Sequence, residues 1–176
     1  MDKYLIDSNS LISPYRTFYQ FDIVPSFWKC FKDTYDQSIY LVDKVKQELC
    51  PANTPQQKDR LQIFVEQNCL TRSKVLTTQT DVLTLAKYQK ILEYINRSPL
   101  YTTRSLHAWA ASDKADPWLI ALAMAHGYTI VTMEKPNLNL KNNATSKEPR
   151  IPDICAVFGV RCINLYDLMR EVGCKI

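Results

Sequence analysis

The chain has 176 residues, 46% of them hydrophobic and 23% charged, with 22 Lys and Arg set against 18 Asp and Glu for a net charge of +4. That content can bury one substantial core and is read as a single domain spanning residues 1–176. Three glycines are too few for an all-β chain that needs many tight turns, and no apolar run approaches the roughly 20 residues that span a bilayer. The small positive charge tolerates a polyanionic partner without requiring one.

In chain order, Tyr4 to Ile6 read as a buried strand that ends in the polar turn Asp7-Ser8-Asn9-Ser10. Pro25 followed by Phe27, Trp28, Phe31 and Tyr35 predicts a helix from about Val24 to Asp36. Ser38 to Val42 is a β-branched and aromatic strand, and Asp43 then caps a short helix through Leu49 that Pro51 ends. Thr54-Pro55 predicts the cap and first turn of a helix with Leu61, Phe64 and Val65 inward. A short strand around Val75 comes next, and Thr80 or Asp81 opens a helix towards Asn96.

A helical piece around Leu106 to Ala111 precedes Asp116-Pro117-Trp118, which starts a helix apolar on nearly all sides and closed by Gly127. Tyr128 to Thr132 is a strand, and the polar stretch from 135 to 150 reads as a loop without apolar period. Pro152 to Phe158 reads as a helix, Val160 to Leu165 as a strand and Tyr166 to Val172 as a last helix. Strands alternating with helices imply a mainly parallel sheet in a three-layer α/β/α sandwich, with a helical insertion around 51–105.

The first residues carry no basic segment leading into a long apolar core, so the expected setting is cytoplasmic, with no membrane partner. In that setting the six cysteines are expected as reduced thiols. No CxxC pair occurs, and neither His107 nor His126 stands at zinc-ligand spacing from a cysteine pair.

Acidic residues fall where a parallel sheet concentrates chemistry. Asp7 follows the first strand and Glu134 follows the strand from Tyr128. Asp116 starts the helix before that strand, and such a helix runs antiparallel to it, so all three acids belong at the carboxyl rim. Carboxylates gathered there repel one another unless a cation neutralises them, and an all-oxygen set selects Mg²⁺ or Mn²⁺.

The segments "LIDSNSLI", "VKQEL", "ADPWLIALAMAHG" and "TIVTME" resemble, in order and over nearly the whole chain, the PIN-domain family. The final "IPDICAVFGVRCINLYDLM" is similar to the ends of a PIN-like subfamily known as a domain of unknown function, related to VapC-type ribonuclease toxins. The resemblance implies that Asp7 and Asp116 are direct metal ligands, Glu48 a direct or water-mediated one, and Glu134 the fourth acid. Asn9 and Thr132 match the small polar positions beside them. The family more often has Asp at the fourth position, and Asp153 is a rival to Glu134 there.

The implied activity is endoribonuclease hydrolysis by a metal-activated water, leaving a 5′-phosphate and a 3′-hydroxyl. Lys135, Lys141, Lys147 and Arg150, in or beside the polar loop, are the expected contacts to RNA phosphates. The expected partners are an RNA substrate, an antitoxin and a second copy of the chain.

Each acid also has a plain structural reading. Asp116 or Asp113 serves as a helix cap, Asp7 as a turn former and Glu48 as a solvated helix residue. The competing function is a catalytically weak PIN-like module that binds RNA or a protein. A phosphohydrolase with Asp7 as nucleophile is weaker, because Asn9 stands where such enzymes place a second Asp.

Overall fold

The computed structural model describes residues 2–71, 73–142, 145–146 and 148–175. Its apolar segments form five short strands, β1 (Tyr4–Ile6), β2 (Ile39–Val42), β3 (Val75–Leu76), β4 (Thr129–Val131) and β5 (Cys162–Ile163). They lie in the order β3-β2-β1-β4-β5, and every neighbouring pair is parallel. Leu5 of the central strand stands opposite Tyr40 on one side and Ile130 on the other. Strands covered on both faces are apolar throughout rather than alternating, and Tyr4, Leu5 and Ile6 are all buried.

Helices α1 (Asn9–Arg16) and α2 (Pro25–Ser38) connect β1 to β2, and α3 (Asp43–Leu49) and α4 (Arg60–Asn68) connect β2 to β3. The long crossover to β4 holds α5 (Val82–Arg97), α6 (Thr103–Trp109) and α7 (Asp116–His126), after which α8 (Ile151–Phe158) leads to β5 and α9 (Leu165–Glu171) follows it. The chain steps one way along the sheet from β1 to β3 and the other way from β3 to β5. Right-handed crossovers then place α1 to α4 on one face and α5 to α8 on the other. The packing agrees, since α4 touches α1 and α3 while α7 touches α5 and α8. The result is the expected three-layer α/β/α sandwich, with the winding reversed between β1 and β4.

On the first face α2 buries Phe27, Trp28, Phe31 and Tyr35, and Trp28 stacks on Phe21 with ring centroids 4.1 Å apart. On the second face α7 is buried from Asp116 to Ala123 and stacks Trp118 on Tyr88 of α5 at 3.9 Å. Among the described residues no helix is long and apolar enough to cross a membrane.

Several expectations change. The segment read as a polar turn after Asp7 instead opens α1, which the sequence reading did not contain and which holds Pro14 within it. Thr54 caps a single 3-10 turn (Pro55–Gln57), and it is Asp59 that caps α4, accepting from the Gln62 N–H at 2.7 Å. The polar stretch contains a 3-10 turn at Leu138–Asn142 and a bridge from Ser146 to Tyr101. The last strand is shorter than expected, because Leu165 turns inward to open α9. The thiols are not all reduced: Cys30 and Cys174 form a disulfide, since the fold brings their Cα atoms to 6.0 Å, within bridging range. Cys50, Cys69, Cys155 and Cys162 are free.

Candidate metal centre

The site grows from the ends of β1 and β4, where the winding reverses and ligands of open parallel sheets collect. Asp7 is 2% exposed, and its backbone N–H prolongs the ladder by donating to the Val131 carbonyl at 2.9 Å. The buried Thr132 hydroxyl donates to Asp7 Oδ2 at 2.8 Å and accepts from the Glu134 backbone N–H at 3.1 Å. One hydroxyl thus fixes both acids relative to each other. Burial pushes the Asp7 carboxyl up to about 7, the Thr132 hydrogen bond pulls against that, and the charges of Asp116, Glu134 and Glu48 push the same way as burial.

Asp116 begins α7 and is 7% exposed. It does not cap the helix: Ala115 occupies the cap position with no side-chain hydrogen bond, which removes the cap reading for Asp113 as well. The Asp116 carboxylate instead pairs with Lys114, Nζ to Oδ2 at 2.8 Å. Pro117 marks where the helix starts, and the Asp116 carboxylate bears on Asp7 as well as on Lys114.

Glu48, in the last turn of α3, is exposed as a whole residue, but its carboxyl end is desolvated and raised in pKa. A hydrogen bond from Ser8 counters that rise, Asp116 reinforces it, and Lys114 and the Ala115 backbone counter it further. Glu134 is half-buried, and its Oε2 accepts the Ile151 N–H at 2.8 Å, satisfying a free donor at the start of α8. Burial raises Glu134 in pKa, the Ile151 bond and the nearby Lys114 and Arg150 oppose the rise, and Asp116 adds to it.

Asp153, the rival to Glu134, belongs to the first turn of α8. Both of its oxygens accept the Asn137 N–H, at 3.0 and 3.1 Å, so it braces the loop after β4. Burial raises it, and the charge acting on it is that of Arg150. Asn9 is exposed at the start of α1. Lys135 is exposed, and Arg150 donates to its carbonyl at 2.9 Å, tying the two ends of the loop together. Lys141 has its backbone in the 3-10 turn but its side chain outside the described residues, and Lys147 lies outside them altogether.

Lys114 and Ser8 belong to the site and were missed from the sequence. A lysine two positions before an expected ligand carries no periodic signal, and Ser8 reads as ordinary turn chemistry. Lys114 also lines an open cleft with Glu48, Gln47, Pro51 and Ala108. Through Glu48 and Pro51 this cleft adjoins a second one lined by Tyr15, Arg16 and Asn53. A larger cavity lies elsewhere, lined by Tyr4, Cys30, Glu171 and Cys174 at the amino end of β1.

Among the described residues, no three His, Cys, Asp or Glu side chains stand close enough together to hold one ion. Protein partners hold the carboxylates instead, with Asp116 drawn to Lys114 and Glu134 to Ile151. The donors are nonetheless all carboxylate oxygens, the chemistry that suits a hard dication.

A five-stranded parallel sheet of this order between two helical layers, with acids at its reversal point, defines a PIN-like fold. The chain belongs to the family described as Domain of unknown function (DUF4411), whose model matches residues 4–176. No curated protein matches the sequence. Among solved structures it is similar to FitAcB from Neisseria gonorrhoeae, with 18% identity, a TM-score of 0.53 and coverage of 93% of this chain and 98% of that one. It is also similar to FitAB bound to an IR36 DNA fragment, with 16% identity, a TM-score of 0.50 and coverage of 92% and 94%. At these identities the likeness is one of fold.

Proposed function

We propose that this protein is a divalent-metal-dependent endoribonuclease in which Asp7, Asp116 and Glu134 hold Mg²⁺ or Mn²⁺ and Glu48 joins them directly or through water. The observation that carries this reading is Asp7, a buried carboxylate under the charge of three other acids at the sheet's reversal point. Ionising such a group is costly until a cation faces it. A bound dication would lower the pKa of a water and stabilise charge developing on the phosphate.

The chain's own residues prepare the site. Thr132 fixes the Asp7 carboxylate, and the Ile151 N–H orients Glu134. Arg16 and Lys114 line the clefts on either side of Glu48 and supply positive charge for RNA phosphates. Lys135 and Arg150 extend that charge along the loop after β4. The proposed partner is a separately encoded antitoxin, supported by the family resemblance of the sequence.

The test is hydrolysis of end-labelled RNA with Mg²⁺ or Mn²⁺. Cleavage should leave 5′-phosphates, stop with chelator and disappear in Asp7→Asn and Asp116→Asn proteins that remain folded. Cutting that survives in both variants sinks the assignment.

A second reading, a PIN-like module that binds RNA or protein without cleavage, draws on the carboxylates' engagement with Lys114 and Ile151. It predicts RNA binding that Mn²⁺ does not change and no thermal shift on adding the ion.

A further inference from the structure

Lys114 lies in the loop between α6 and α7 and turns its ammonium into the acidic site. Its side chain is 31% exposed, with Nζ 2.8 Å from Asp116 Oδ2. Glu134 and Glu148 bear on the same ammonium from the chain after β4, and Glu48 interacts with it from α3. One cation thus faces carboxylates from several separate parts of the fold. Among the described residues it is the cation in salt-bridge contact with any of Asp7, Glu48, Asp116 and Glu134.

The same side chain lines the open cleft beside Glu48 and Pro51. Its four-carbon stem is flexible, and the cleft offers the ammonium a solvated place away from Asp116. An ammonium in contact with Asp116 and a dication bound by the same carboxylate repel each other strongly at that distance. The two occupancies are therefore alternatives.

We infer that Lys114 is an exchangeable counter-ion, a positioning residue whose ammonium holds Asp116 in the metal-free protein and gives it up to the cleft when a divalent cation enters. This rests on the metal-site reading above. Metal affinity is then set partly by what it takes to move Lys114.

Calorimetric titration with Mn²⁺ of the full chain, as wild type, Lys114→Met and Lys114→Gln, tests it. Both variants should bind Mn²⁺ about tenfold more tightly than wild type, because the competing charge is gone. In thermal melts both should lose stability without metal and regain it when Mn²⁺ is saturating. A merely structural lysine would give weaker Mn²⁺ binding and a loss of stability that saturating Mn²⁺ does not restore. Wild-type affinity in both variants, or weaker binding, overturns the counter-ion assignment while leaving the metal site standing. A folded wild-type protein that takes up no Mn²⁺ removes the metal site itself.

Discussion

Asp7 carries its proton differently in the folded and unfolded chain. Its pKa is about 7 in the fold against an ordinary 3.8. Between those values the folded chain keeps a proton that the unfolded chain releases, so stability is lost as pH rises through that window. The metal-free protein should therefore show a thermal midpoint that falls as pH is raised from about 4 to about 7, a slope that Asp7→Asn flattens. At about pH 8 the same variant should melt higher than wild type by the equivalent of a few kcal/mol, while losing the stabilisation that Mn²⁺ gives. A wild-type midpoint that does not fall over that range would mean the carboxyl is not desolvated as described.

Thr132 makes a second residue-scale case. Thr132→Val removes a donor to Asp7 and an acceptor for the Glu134 N–H, leaving buried groups unpaired at about 1–3 kcal/mol. Denaturant unfolding measures that loss, and the pH window of Asp7 should move upward with it. Asp7 and Asp116 were legible in the sequence because a strand end and an Asp-Pro helix start are strong local signals. The roles of Ser8 and Lys114 were not: Ser8 meets Glu48 only because the fold brings α3 beside the turn after β1, and Lys114 turns onto Asp116 from the loop before α7, a choice no sequence pattern marks.

Among the elements, α7 carries the site most directly. Its first residue supplies Asp116, and its end is closed by Gly127 in the left-handed conformation at φ 72°. Nothing lies within 4 Å of where a Cβ would stand there, so Gly127→Ala meets strain in the backbone alone. It should cost about 1 kcal/mol in denaturant unfolding and leave Mn²⁺ affinity unchanged. A larger loss, or an altered affinity, would show that the C-terminal end of α7 is coupled to its start. The element pattern was legible wherever Pro and Gly bracket an apolar run, as in α7. It failed at α1, which holds Pro14 within it, and at β5, where Leu165 is buried as part of α9.

At the scale of the whole molecule, the order of strands places the chemistry. Asp7 and Thr132 stand just past the ends of neighbouring strands that are far apart in sequence, and they meet because the chain winds one way from β1 and returns to its other side at β4. The alternation of elements made the sandwich legible, whereas the hydrogen bonds that engage Glu134 with Ile151 and Asp153 with Asn137 are tertiary and left no local trace. Residues 51–105 supply β3 as well as helices, so the segment read as a helical insertion also completes the sheet.

The central claim is that a divalent cation binds where β1 and β4 end. Crystals grown with Mn²⁺ and measured at its absorption edge test it most directly. The account predicts an anomalous peak bounded by the Asp7, Asp116 and Glu134 carboxylates, with Lys114 turned into the cleft beside Glu48. Well-ordered density for these side chains with no peak between them, and Lys114 still on Asp116, would contradict it.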